Sequence, residues 1–177
     1  MKKFAPEPLN PDEVHSLLAA CGSKSSTGLR NRALIVVLWR AGLRIAESLA
    51  LHPRDLDDGV LRLRRGKGSK SRVVALDPEA IAVVQAWLER KSRLGIGGPI
   101  LSTLKGQPLL PSYVRNLLPR LARKAGIAKR VHAHGLRHTF AAELADERAD
   151  IRVIQHALGH SSLATTQRYV DHLGRKP

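Results

Sequence analysis

The chain has 177 residues, of which 43% are hydrophobic, and its 30 lysines and arginines against 15 acids give a net charge of +15. Such a length suits one domain with a real core, and the apolar fraction excludes a disordered chain. The basic excess runs along the whole chain and points to a polyanion, nucleic acid before a mere solubility surface, with DNA and RNA both open at this point. Aromatics are only 3%, so the core must be mainly Leu, Ile, Val and Ala. Cys21 stands alone; it can form neither an intramolecular disulfide nor a cysteine zinc site, and it reads as a small buried residue. No run approaches the roughly 20 apolar residues of a membrane helix, and no hydrophobic signal core follows Met1-Lys2-Lys3. A cytoplasmic protein with no membrane partner is expected.

In chain order, residues 1–9 read as an extended arm with Pro6 and Pro8. Asn10-Pro11-Asp12-Glu13 is a helix start, with a cap, a first-turn proline and acids at the positive end. That helix should reach about Ala20 and stop near Gly22. A polar loop to Gly28 follows, then a helix over about Leu29 to Arg40 whose run Ala33–Trp39 has almost no polar face and belongs in the centre of the core. Gly42 breaks it, and a short helix restarts near Arg44. Residues 60–65 and 71–76 alternate around Gly66-Lys67-Gly68-Ser69-Lys70 as a β-hairpin. Further helices are expected at about 78–94, 111–125, 134–145, 151–158 and 162–172. Pro119 should kink the second of these or end it early.

Four local patterns carry polar chemistry: Ala41-Gly42-Leu43-Arg44, the Lys67 turn, His134-Gly135-Leu136-Arg137-His138, and Leu158-Gly159-His160 followed nine positions later by Tyr169. Singly each is weak. Arg44 alone reads as a surface charge, Lys67 as a turn lysine, and His134 with Arg137 as a solvated helix face.

Together, in this order and spacing, they resemble the catalytic domain of the tyrosine recombinases, the phage integrase and Xer-like family, from about Leu9 to Tyr169. The resemblance implies a mainly α fold with a small antiparallel sheet, the DNA breaking-rejoining catalytic fold. It implies catalytic roles for Arg44, Lys67, His134, Arg137, His160 and Tyr169. It also implies double-stranded DNA as substrate, no cofactor and no metal, and a covalent 3′-phosphotyrosine intermediate.

The residue types suit that chemistry. Two arginines, Arg44 and Arg137, can clamp an anionic phosphate and the charge that grows on it during attack. His134 and Arg137, three apart, share a helix face. The Tyr169 phenol has an ordinary pKa of about 10 and needs a proton acceptor, for which His134 is suited. Lys67 is the expected acid for the leaving oxygen, with Lys70 as the alternative, and His160 a further phosphate donor. Glu47 reads as a packing or orienting partner of Arg44, not a catalyst. His132 and His156 read as surface or structural residues, and His15, His52 and His172 carry no pattern. His134 and His138 also have zinc-ligand spacing, but no glutamate follows the first and Arg137 between them would oppose a cation.

Most members of the family place a separate DNA-clamping domain before the catalytic one. Here residues 1–9 are expected to be an arm, residues 10–177 the catalytic domain, and the clamp absent. Val170–Pro177 leave room for only a stub of the C-terminal helix with which relatives dock on a neighbour. A monomer in solution that self-assembles on paired DNA sites, or with an accessory protein, is therefore expected. Rival readings are a type IB topoisomerase-like relaxase, a non-cutting DNA-binding regulator of the same fold, and a basic RNA- or ribosome-binding domain.

Overall fold

The computed structural model describes residues 7–63 and 71–172. Its helices are α1 (Pro11–Cys21), α2 (Ser26–Arg40), α3 (Ile45–Leu49), α4 (Pro78–Arg93), α5 (Pro111–Lys124), α6 (Ala133–Asp146), α7 (Ile151–Leu158) and α8 (Leu163–His172). A 3₁₀ turn at Pro53–Asp55 leads into β1 (Leu56–Asp57), β2 (Val60–Leu63) and β3 (Arg72–Ala75). The architecture is the expected one, mainly α with a small antiparallel sheet. Among the described residues no helix is long and apolar enough to cross a membrane.

Local chemistry sets most helix starts. Asn10 Oδ1 accepts from the Glu13 N–H and Glu13 returns the bond to Asn10, each at 2.8 Å, a reciprocal cap. Helix α2 starts at Ser26, three residues before the expected Leu29, because the Ser25 hydroxyl accepts from the Gly28 N–H at 3.0 Å. The polar stretch after Gly22 is thus half loop and half first turn. Asp77 and Asp150 cap α4 and α7 in the same way.

The sheet corrects the sequence reading in one respect. Strand β1 was not anticipated, yet Asp58-Gly59 joins it to β2 as a two-residue turn with φ of 44° and 74°, the positive angles that a hairpin turn of this kind requires. Strands β2 and β3 pair antiparallel with Leu63 opposite Arg72. Strand β3 is shorter than the expected 71–76; the remainder of the expected 60–65 strand beyond Leu63, with the connection that carries Lys67 and Lys70, lies outside the described residues. Helix α5 runs past Pro119 to Lys124 instead of ending there. Leu117, Leu118, Leu121 and Ala122 bury one face on either side of it, and that burial outweighs one lost backbone donor.

Every residue from Ala33 to Trp39 is buried, so α2 is the central helix, packed between α4 and α6. Trp87 of α4 is fully buried and donates from Nε1 to the Ile100 carbonyl at 2.7 Å. A smaller cluster of Ala141, Ala145, Ile154, Leu158 and Val170 ties α7 and α8 to the far face of α6. Cys21 is only half-buried, contrary to expectation, because it sits at the last turn of α1. Its thiol, bonded to the Leu17 carbonyl, is pushed up to about 11 by burial. Trp87→Ala should destabilise the fold by about 3–5 kcal/mol, through lost burial, a cavity and an orphaned carbonyl; urea unfolding at neutral pH measures it, and a loss under about 1 kcal/mol would contradict this packing.

Candidate active site

Three chain breaks bring the polar patterns together. The first follows α2. Gly42 has φ of 56°, in the left-handed region, and a Cβ there would collide with the Phe140 ring. This tight turn places Arg44 at the start of α3, where Glu47 Oε2 accepts from the Arg44 N–H at 2.8 Å and Oε1 meets Arg44 Nη1 at 3.1 Å. Arg44 keeps 44% of its side-chain surface exposed.

The second is the start of α6. His132 caps it, its Nδ1 accepting from the Gly135 N–H at 3.1 Å. His134 follows in the first turn, and its ring packs edge-on against buried His138 at 4.3 Å. His138 itself turns into the core. Arg137 is 2% exposed. Its Nη1 donates to the Gly42 carbonyl and its Nη2 to the Leu158 carbonyl, both at 2.6 Å.

The third is the end of α7, closed by Gly159 in the left-handed conformation. His160 comes next, its Nδ1 3.0 Å from the Thr166 hydroxyl on α8 and its carbonyl accepting from Gln155 at 3.2 Å. Arg44, His134, Arg137 and His160, with Leu43 and Ala133, line one open pocket of about 290 Å³. Four of the six residues singled out in the sequence therefore converge. Tyr169 lies within α8, with its side chain outside the described residues, as is Lys67 altogether.

The pocket is cationic, and its histidines respond. Burial first, then Arg137, Arg44, Arg72 and His134, push His160 down to about 4. Burial, Arg137, His132 and Arg44 likewise hold His134 below its ordinary value. Both rings are neutral at pH 7, so each can offer one donor and one acceptor. Among the described residues no cluster of His, Cys, Asp or Glu could hold a metal ion, so the zinc spacing of His134 and His138 is not matched by a ligand set there.

Sequence reasoning missed Arg72. It heads β3 on the inward face, where Arg72 and Val74 are buried and Val73 and Ala75 exposed. Its guanidinium meets Glu47 fork on fork, Nη1 to Oε1 and Nη2 to Oε2, each at 3.0 Å, and Nε reaches the Ala157 carbonyl at 3.3 Å. An arginine at an inward register position of a short strand was the available signal. Glu47, expected as a packing or orienting partner of Arg44, holds both Arg44 and Arg72. His132 is structural, as expected, and its place is the cap of α6.

The chain matches the model of the phage integrase family over residues 7–175, and it belongs to that family. It is 36% identical to tyrosine recombinase XerC of Myxococcus xanthus over 183 aligned positions, covering 96% of this chain and 59% of that protein. It thus spans about three-fifths of the length of that curated relative. The crystal structure of XerA recombinase superposes with a TM-score of 0.83 at 34% identity, covering 93% of this chain and 60% of the other. XerH site-specific recombinase, in a post-cleavage complex with its palindromic difH substrate, gives 0.78 at 31% identity, covering 94% and 50%.

Burial alone would raise the Glu47 carboxyl, but the hydrogen bonds from Arg72 and the Arg44 backbone, with both arginine charges, bring it down to about 2. A lowered carboxyl stabilises the fold fully above its ordinary 4.5 and loses that contribution as pH falls towards about 2. Urea unfolding should therefore show a loss of order 3 kcal/mol across that window in the wild type. Glu47→Gln should be less stable at pH 7 and should lack most of that acid limb; parallel profiles for the two proteins would contradict the pairing.

Proposed function

We propose that this chain is the catalytic part of a site-specific DNA recombinase, which cuts one strand through Tyr169 and rejoins it to another. The observation that carries this reading is the convergence of Arg44, His134, Arg137 and His160 on one pocket, in a chain of the phage integrase family whose next helix carries Tyr169. Double-stranded DNA is the substrate. The +15 charge and the likeness to XerH site-specific recombinase, whose complex holds its palindromic difH substrate, both support it.

The phosphate of the scissile bond sits between Arg44 and Arg137, whose charge stabilises the negative charge that develops on its oxygens. Neutral His134 accepts the phenol proton as the Tyr169 oxygen bonds to phosphorus. The bond from phosphorus to the 5′ oxygen breaks, and Lys67 gives that oxygen its proton. His160 donates a hydrogen bond to the phosphate, its ring oriented by Thr166. The product is a 3′-phosphotyrosine and a free 5′-hydroxyl. Attack by a 5′-hydroxyl of a second strand reverses the steps and completes exchange. The phosphotyrosine conserves the bond, so no nucleotide cofactor is consumed. Exchange between two duplexes needs a copy of the chain at each cut strand, so copies meet on DNA; in solution the chain is a monomer.

A nicked duplex, from which the cut fragment diffuses away, traps the intermediate. The wild type should give a covalent adduct that persists in EDTA, and Tyr169→Phe should lose it by at least about a thousandfold while still binding DNA. An adduct on the phenylalanine variant would overturn the nucleophile. Cutting and resealing of one supercoiled plasmid without joining between two duplexes would favour the relaxase, and DNA binding without any adduct the regulator.

A further inference from the structure

The helix that presents His134 and Arg137 begins on a titratable cap. His132 has extended backbone, φ −153° and ψ 165°, and its ring lies over Gly135, where an added Cβ would sit 3.7 Å from the imidazole. Its Nδ1 accepts the Gly135 N–H at 3.1 Å. The usual capping side chains offer an oxygen, which accepts at every physiological pH. An imidazole accepts only while that nitrogen carries no proton.

Resting on the recombinase reading, we infer that His132 is a positioning residue: its neutral form holds the first turn of α6, and its protonation releases that turn and with it His134. An imidazolium has a donor on both nitrogens, so Nδ1–H would face the Gly135 N–H. It would also place a positive charge at the positive end of a helix of 14 residues. The charged and titratable neighbours add to this. Arg130 stands in the loop just before α6, and the His134 ring stacks near-parallel with that of His132, centroids 6.4 Å apart. Arg137 and Arg44 lie behind His134. Burial first, and then Arg130, hold His132 below its ordinary value. The cap is therefore intact above about pH 6.5 and fails as pH falls below it.

The consequence is local. His134 is the second residue of α6 and lies within the turn that the cap closes, whereas Arg137, one turn on, is also held by the Gly42 and Leu158 carbonyls. Acid should therefore loosen the turn that carries His134. His134 must itself be neutral to accept the phenol proton, so cleavage depends on two protons being absent, one from each ring.

The test is single-turnover cleavage of the nicked duplex between about pH 5 and about pH 8 with wild type, His132→Asn and His132→Ala, together with melting temperatures over the same range. Asparagine caps without titrating there. On the acid side, log rate against pH should approach a slope of about two for wild type and about one for His132→Asn, with equal rates at the alkaline end. His132→Ala should lose roughly fivefold or more at the alkaline end, where wild type is still capped. The melting temperature of wild type should fall below that of His132→Asn as pH drops. Equal slopes together with parallel melting profiles would overturn the inference. If wild type forms no adduct at the alkaline end, the recombinase reading fails, and the melting profiles still decide whether His132 is the pH-sensitive cap.

Discussion

The site depends on one buried guanidinium. Arg137 reaches from α6 to the carbonyl of Gly42, after α2, and to the carbonyl of Leu158, at the end of α7. Gly42 lies two residues before Arg44, and Leu158 two before His160. Three segments far apart in the chain are thereby set against each other by one planar, always-charged group. Its geometry is fixed by packing, since the residue is 2% exposed. A lysine could not replace it, because a single ammonium on a flexible stem lacks the two diverging donors. The same residue that reads from the sequence as a phosphate clamp is thus also the strut of the pocket.

Concentrating cations in this way raises the energy of the empty pocket, and Glu47 offsets part of it. Its carboxylate binds Arg72 with both oxygens and Arg44 with backbone and side-chain contacts. Because Arg72 also touches the Ala157 carbonyl, the sheet and α7 are tied at the same point where Arg137 ties α7 to α6. Burial first, and then the remaining positive potential, keep the pocket's histidines neutral at pH 7. On the proposed reading that is the state in which one of them takes a proton from the phenol, while the arginines stay free of proton bookkeeping.

Much of this was legible in the sequence because it rests on short-range chemistry. Asn10, Gly22 and Gly42 mark boundaries through caps and positive φ, and the unbroken apolar run of α2 allowed no exposed face. What failed did so for definable reasons. Ser25 reads as loop in a polar stretch, although its hydroxyl begins a helix. Asp58-Gly59 gives no hairpin signal because the strand before it has only two residues, too few to show alternation. Pro119 does not end α5, because the burial on either side of it outweighs the local effect. The spacing of the four motifs brought Arg44, His134, Arg137 and His160 to notice, but no pattern along one chain shows that Arg137 spends two donors on backbone carbonyls or that Arg72 shares Glu47.

The central claim is that this cationic pocket serves a tyrosine nucleophile. The most direct measurement is to trap the wild-type adduct on a nicked duplex, digest protein and DNA, and locate the linkage by tandem mass spectrometry. The account requires a 3′-phosphate esterified to the Tyr169 oxygen. A linkage on any other residue, a 5′-phosphate linkage, or the absence of any nucleotide-bearing peptide from a protein that binds the duplex would contradict it.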